Sequence, residues 1–157
     1  TKILLQKTDM REKDKEWFLE MFNNSECNGS LIGFCVAGGI FSEGIDLRQD
    51  SLIGAVIVGT GIPMICRDRD ILRDYFDRQG KDGFSYAYVY PGMNKVLQAA
   101  GRVIRTSSDC GVIELLDDRF LNREQQYLFP REWDDIVVTD KNKISEVLSD
   151  FWKNIVQ

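Results

Sequence analysis

The sequence predicts an α/β domain with a mainly parallel central sheet and helices on both of its faces. Apolar runs of strand length alternate with segments whose apolar residues recur at helical spacing, and this alternation is typical of parallel strands joined by helices. The chain has 157 residues, 43% of them apolar, which suffices for the core of one domain. We therefore expect residues 1–157 to form one domain, with a C-terminal helical segment over about 140–157.

Four apolar runs, at 3–6, 31–37, 55–58 and 112–116, predict the strands. The run at 31–37 is continuous, as expected for a strand covered on both faces. Helical spacing predicts helices over 9–24, 68–79 and 143–156, and Pro91 is expected to open another. The aromatic alternation at 84–90 fits a strand or an extended approach to that helix, and it favours packing over base stacking.

Charge and residue types exclude several classes of function. The chain carries 20 basic and 25 acidic residues, which argues against binding of polyanions by bulk charge, although local phosphate contacts stay open. It has no histidine, which excludes Ser-His and Cys-His nucleophiles and histidine-ligated metals. Four cysteines without a C-x-x-C pair predict free thiols, a cytoplasmic location and no metal site. We expect no membrane segment, and the start at Thr1 suggests a piece of a longer protein.

The first candidate site follows the strand at 31–37 and reads AGGIFSEGIDL, residues 37–47. Ligands of parallel sheets bind beyond the carboxyl ends of the strands, and glycines let the backbone approach a ligand closely. Glu43 and Asp46 would place carboxylates near that ligand. The alternative interpretation is a tight turn with a capping Ser or Asp.

The second candidate site is QAAGRVIR, residues 98–105. On a helix, Gln98, Gly101, Arg102 and Arg105 would form one stripe. Arginines on a helix that is otherwise well buried need an anion, either an acidic partner or a phosphate; the alternative is a surface stripe paired with Asp or Glu. No G-x-x-x-x-G-K-[ST] loop occurs in the chain, so any phosphate must be held by something else.

Together the two segments resemble motifs V and VI of the second motor domain of superfamily-two helicases, in the XPD/DinG branch of DNA helicases. YPGMNKVLQAAGRVIRT, residues 90–106, resembles that branch as a block, and GVIELLDDRF, residues 111–120, resembles its usual continuation. The resemblance covers roughly residues 30–125. It implies a three-layer RecA-like (P-loop NTPase-like) fold and the second lobe of a two-lobed motor.

The resemblance also implies a role for each candidate residue. Arg105 would be the arginine finger for the γ-phosphate of ATP, Arg102 its neighbour on the same anion, and Gln98 a bridge from the nucleotide or the attacking water to the lobe interface. Glu43 would couple the first loop to motif VI, and Asp46 would reach the ribose or a water. The residues implied to bind nucleotide are Glu43, Gly44, Asp46 and Gly101, and those implied to donate to a DNA phosphate are Gly39 and Ser42.

The implied cofactors are ATP and Mg, bound mainly by a missing N-terminal RecA-like lobe, with an iron–sulfur cluster expected, if at all, elsewhere in the parent. The implied partners are single-stranded DNA and that lobe, in a nucleoid-associated monomer of bacterial or archaeal origin that acts in DNA repair. This fragment alone would be inactive. Two alternatives stay open: a non-catalytic α/β domain that binds an anion or a protein, and a motor of the same class acting on RNA.

Overall fold

The computed structural model describes residues 1–23, 29–43, 52–104, 106 and 109–155. The strands in these ranges are β1 (Lys2–Leu5), β2 (Leu31–Phe34), β3 (Gly54–Val58) and β4 (Val112–Leu116). The α-helices are α1 (Glu12–Asn23), α2 (Ile40–Glu43), α3 (Arg67–Arg78), α4 (Tyr90–Ala100), α5 (Arg123–Gln126) and α6 (Ile144–Ile155). A π-helix spans Ser85–Val89 and a 3₁₀-helix spans Asp118–Leu121. The predicted α/β class is confirmed.

The described strands hydrogen-bond in two parallel pairs. β1 lies beside β2, with Lys2 opposite Leu31, and β3 lies beside β4, with Gly54 opposite Val112. A parallel pair requires a long crossover; α1 provides it for β1 and β2, while α3, the π-helix and α4 lie between β3 and β4. Because both strands of a pair run the same way, their carboxyl ends meet at one edge.

The larger core lies between the β3–β4 pair and α4. Met93, Val96 and Ala100 are buried and are spaced three and four residues apart, so one face of α4 covers the strands. Ile57 of β3 and Phe120 of the 3₁₀-helix complete this core. The segment after α5 also packs on it, through the partly buried side chains of Leu128, Phe129 and Trp133.

The smaller core lies under the β1–β2 pair. Leu4 of β1, Phe18 of α1 and Phe41 of α2 are buried together. The rings of Phe18 and Phe41 stack with their centroids 4.2 Å apart. This contact fixes α2, and with it the turn after β2, against the strand pair.

The opposite faces of the strands carry exposed apolar side chains. They are Ile3 and Leu5 of β1, Ile32 and Phe34 of β2, Val56 and Val58 of β3, and Leu116 of β4. The packed cores lie on one face of each strand pair within the described ranges.

The aromatic segment at 84–90 is helical, so the prediction of a strand or an extended approach is wrong. The π-helix Ser85–Val89 runs directly into α4. Its aromatic rings meet at helical spacing: Phe84 stacks on Tyr88, and Tyr86 meets Tyr90 edge to face, both at 5.1 Å. An alternating pattern of aromatic residues is therefore compatible with a helix as well as with a strand. Tyr86 also stacks on Phe76 of α3, with the centroids 4.1 Å apart, so the segment packs within the domain.

Tyr88 links the π-helix to α3 through a buried hydroxyl. Its side chain is 1% exposed, and its hydroxyl donates to Asp70 Oδ1 at 3.0 Å. Burial, and after it the Asp70 carboxylate, raises the pKa of Tyr88, so the phenol stays a neutral donor. Nearby, Arg69 Nη1 donates to the Ala87 carbonyl of the π-helix at 2.7 Å.

We expect Tyr88→Phe to lower the free energy of unfolding by about 1 kcal/mol, since it removes one hydrogen bond to a carboxylate that water can still reach. Urea unfolding of the 157-residue chain measures the change. Tyr127→Phe is the matched control, because Tyr127 is 84% exposed, and its effect should stay within about 0.5 kcal/mol. Equal effects of the two substitutions would contradict a structural role for the Tyr88 hydroxyl.

Candidate nucleotide and nucleic-acid interface

The turn after β2 is held by Gln6, the residue that follows β1. The Gln6 backbone N–H donates to the Phe34 carbonyl at 2.9 Å, and its side-chain Oε1 accepts from the Val36 N–H at 2.9 Å. The turn then closes as the Gly39 N–H donates to the Val36 carbonyl, also at 2.9 Å. The carboxyl ends of β1 and β2 are thus tied together at the edge where parallel sheets bind ligands.

Two positions in this turn require glycine. Gly38 has φ +77°, in the left-handed region that residues with a Cβ avoid. A Cβ on Gly39 would lie 2.9 Å from the Val36 carbonyl oxygen and 3.0 Å from Gln6 Nε2, which is too close. The turn therefore presents bare backbone at the edge of the strand pair.

The remaining candidates on this loop are located only in part. Ser42 and Glu43 lie in α2, but their side chains are outside the described part of the structure. Gly44 and Asp46 fall in the range 44–51, also outside the described residues. Of the predicted loop residues, Gly39 is the one placed together with its surroundings.

The second segment starts on α4 but is not helical throughout. α4 ends at Ala100, Gly101 occupies its C-cap with φ −65°, and the Gly101 N–H donates to the Leu97 carbonyl at 2.9 Å. Residues 101–103 form a turn, so the predicted helical stripe through residue 105 is wrong. A glycine followed by the β-branched pair Val103-Ile104 favours ending the helix there.

The predicted residues of this segment differ in their exposure to solvent. Gln98 and Gly101 are exposed, and Arg102 is half-buried. Val103 is buried and continues the core face of α4. Arg105 lies outside the described residues.

The glycine turn meets α4, the helix on which the second segment begins, through Lys95. A Cβ on Gly38 would lie 2.8 Å from Lys95 Cε and 3.0 Å from Lys95 Nζ, so the lysine side chain rests on the turn after β2. α2 also contacts α4 directly. The structure therefore brings the glycine turn and the helix on which the second segment begins together.

Sequence reasoning missed Gln6 and Lys95. Lys95 precedes Gln98 by three residues and so extends the polar stripe of α4 one turn towards its start; that spacing was a usable signal. Gln6 is the first polar residue after the β1 run, and nothing in the sequence distinguishes it from an ordinary strand end.

An ion pair occupies the carboxyl ends of β3 and β4. Asp117 accepts from the Arg119 N–H at 2.9 Å, from Arg119 Nε at 2.8 Å and from Arg119 Nη2 at 2.7 Å. The side-chain hydrogen bonds from Arg119, followed by the backbone one, lower the pKa of Asp117 to about 2. Gly59 lies beside the pair with φ +84°. This pair belongs to the GVIELLDDRF segment.

We expect Arg119→Gln to raise the pKa of Asp117 towards its ordinary value of 3.8. Because the pKa is lowered in the folded state, the ion pair stabilises the fold above about pH 4, and this contribution is lost as the pH falls through 2. A carboxyl NMR titration of the wild type and the variant measures the shift. Arg131→Gln, at an exposed position, is the control. An Asp117 that titrates at its ordinary value in the wild type would contradict the pairing.

Two negative findings apply to the residues that the structure describes. They contain no cluster of three or more His, Cys, Asp or Glu side chains arranged to hold a metal ion. Their helices include none that is long and apolar enough to cross a membrane.

Comparison with known proteins identifies the family. The helicase C-terminal domain family matches residues 1–136. The chain belongs to this family. The resemblance drawn from the two motifs, to a C-terminal helicase domain of the XPD/DinG type, is thereby confirmed, and the parallel α/β fold is consistent with the RecA-like architecture of such domains.

Individual helicases show the same relationship. The chain is 32% identical over 111 residues to a probable ATP-dependent helicase of Methanocaldococcus jannaschii, covering 61% of this chain and 17% of that protein. It is 30% identical over 103 residues to the ATP-dependent DNA helicase DinG of Photobacterium profundum, covering 64% and 15%. It is 32% identical over 127 residues to the ATP-dependent DNA helicase CHL1 of Kluyveromyces lactis, covering 74% and 16%. The chain thus spans less than a fifth of each of these helicases.

Proposed function

We propose that this chain is the second motor lobe of a longer ATP-dependent DNA helicase, here called the parent helicase. The observation that carries the proposal is the contact between the glycine turn after β2 and α4, made by Lys95 over Gly38 in a member of the helicase C-terminal domain family. A lobe in which one edge joins these two segments is suited to touching DNA and nucleotide together. We propose that it works as a single domain, in a monomeric parent located in the cytoplasm on nucleoid DNA.

The second segment would act on the nucleotide. Arg105 is proposed as the arginine finger on the γ-phosphate of ATP, with Arg102 beside it and Gln98 at the lobe interface. An arginine aimed at the transferred phosphoryl group stabilises the charge of the transition state. Residues proposed to line the nucleotide are Glu43, Gly44, Asp46 and Gly101.

ATP and Mg would be held mainly by the N-terminal lobe of the parent. The chain has no phosphate-cradling loop, and its described ranges contain no acidic metal cluster. We propose that this chain forms the closing half of the nucleotide site and contributes guanidinium charge to it. Any iron–sulfur cluster of the parent is likewise proposed to lie outside this chain.

The glycine turn would act on the DNA strand. Ser42 is proposed to donate its hydroxyl to a strand phosphate, and Gly39 to let that strand approach the backbone of the turn closely, contacts that position DNA without reading its sequence. ATP would favour the closed arrangement of the two lobes, since only that arrangement brings the arginines to the phosphate. Hydrolysis would remove this differential contact, and the lobes would part.

Strand separation by the parent helicase tests the proposal. A duplex with a single-stranded DNA tail should be separated with ATP and not with a non-hydrolysable analogue, and the 157-residue chain alone should neither separate it nor hydrolyse ATP. Substrates with an RNA tail distinguish a motor acting on RNA. ATP hydrolysis by the isolated chain at the parent's rate, or a parent without strand separation, would support a different function, such as a non-catalytic anion- or protein-binding domain.

A further inference from the structure

The side chain of Lys95 lies across the turn after β2. Lys95 is half-buried on α4, and its Cε and Nζ lie 2.8 and 3.0 Å from the place where Gly38 would carry a Cβ. Gly38 has φ +77°, which favours glycine, and a Cβ at this position would collide with the Lys95 side chain. The backbone conformation and the position of the lysine side chain therefore both require glycine here. The ammonium group is thereby held at the carboxyl edge of β1 and β2.

No described residue provides a counter-ion for this ammonium. Lys95 forms no ion pair or hydrogen bond with another residue in the described ranges. The nearby Gln6 side chain uses its oxygen to accept from Val36, which leaves the Nε2 amide group, a donor, towards Gly39. A half-buried cation beside an amide donor and a bare backbone turn is an environment suited to an anion.

We infer that Lys95 is a phosphate-binding residue for single-stranded DNA, whose ammonium neutralises one phosphodiester at the Gly38–Gly39 turn. This inference rests on the proposed function. It deepens that function, because it places a cation at the turn that contacts the strand, in a chain whose net charge is −5.

The position of Lys95 favours the DNA backbone over ATP as the source of the phosphate. Lys95 contacts the glycine turn from within α4, whereas Arg102 lies in the turn that follows the end of α4 at Ala100. In the sequence, both arginines proposed for ATP come after the end of α4, while Lys95 lies within it. Phosphodiester and triphosphate share the same chemistry, so the experiment must separate them.

Salt dependence of DNA binding tests the inference in the parent helicase. The affinity for a fluorescent oligothymidylate is measured by anisotropy over a series of salt concentrations. Loss of one phosphate contact should reduce the slope of log affinity against log salt by about 0.7 for single-stranded DNA. We expect this reduction, with weaker binding at low salt, for Lys95→Met, which keeps an unbranched stem over Gly38. Lys95→Arg should preserve the slope.

One control variant and three possible outcomes decide between the inference and its alternatives. Lys13→Ala changes an exposed lysine of α1 and should leave the slope unchanged. If the wild type binds DNA and Lys95→Met has the wild-type slope, the inference is overturned while the proposed function stands. If the slope is unchanged and KM for ATP rises, the phosphate is that of ATP, which also overturns it. A parent that does not bind single-stranded DNA contradicts the proposed function and the inference together.

Discussion

Arg105→Ala in the parent helicase is expected to lower kcat for ATP by about 10³-fold or more, the range measured for arginine fingers in related hydrolases. DNA affinity should change little, because the guanidinium is proposed to act on the nucleotide. The measurement is steady-state ATP turnover at saturating single-stranded DNA, with anisotropy to report DNA binding. The assignment depends on the QAAGRVIR segment and on membership of the family.

The control for this variant is Arg131→Ala, at an exposed position after α5, which should keep wild-type turnover. Turnover close to the wild type in Arg105→Ala would refute the finger assignment. A loss of DNA affinity as large as the loss of kcat would place the guanidinium on the strand instead.

Gly61→Ala is expected to destabilise the domain by about 3 kcal/mol. The substitution forces alanine into a left-handed backbone conformation and places its Cβ too close to a neighbouring backbone atom. Gly61 has φ +65°, and a Cβ there would lie 2.6 Å from the Gly92 carbonyl oxygen. Gly92 sits near the start of α4, so the turn after β3 presses on the backbone of that helix. Neither backbone can shift without moving the core face of α4.

Thermal unfolding of the 157-residue chain measures this effect, and the expected loss is roughly 9 °C in Tm for a domain of this size. Gly80→Ala is the matched control: Gly80 has φ +70°, but a Cβ there would meet nothing within 4 Å. Gly80→Ala should lower the free energy of unfolding only by the strain of a left-handed alanine, about 1 kcal/mol. Similar losses in the two variants would show that the contact with Gly92 contributes nothing.

Local patterns predicted the regular elements well. The strand at 112–116 and the strand at 55–58 match β4 (Val112–Leu116) and β3 (Gly54–Val58) to within one residue, since short, mainly apolar runs that follow a glycine have few alternatives. The helices at 68–79 and 143–156 agree similarly with α3 and α6. The prediction for the aromatic segment at 84–90 was wrong because residues that alternate every second position also include pairs four positions apart, and such pairs contact each other along a helix.

Tertiary contacts account for what the sequence did not predict. Lys95 is a candidate site residue only because α4 lies against the turn after β2. Gln6 holds that turn only because β1 pairs with β2 in a register that places the Gln6 side chain at Val36. α4 likewise ends at Ala100, with Gly101 at its C-cap, although the helical spacing of the arginines predicted that the helix continues. The grouping of the described strands into two pairs is a property of hydrogen bonding that apolar runs do not encode.

The most direct test of the central claim, that one edge of this domain couples DNA to ATP, is ATP turnover by the parent helicase as single-stranded DNA is titrated. We predict that turnover of the wild type rises with DNA to a plateau, and that Lys95→Met needs more DNA to reach half of its own plateau. Turnover that does not respond to DNA in the wild type would contradict the account.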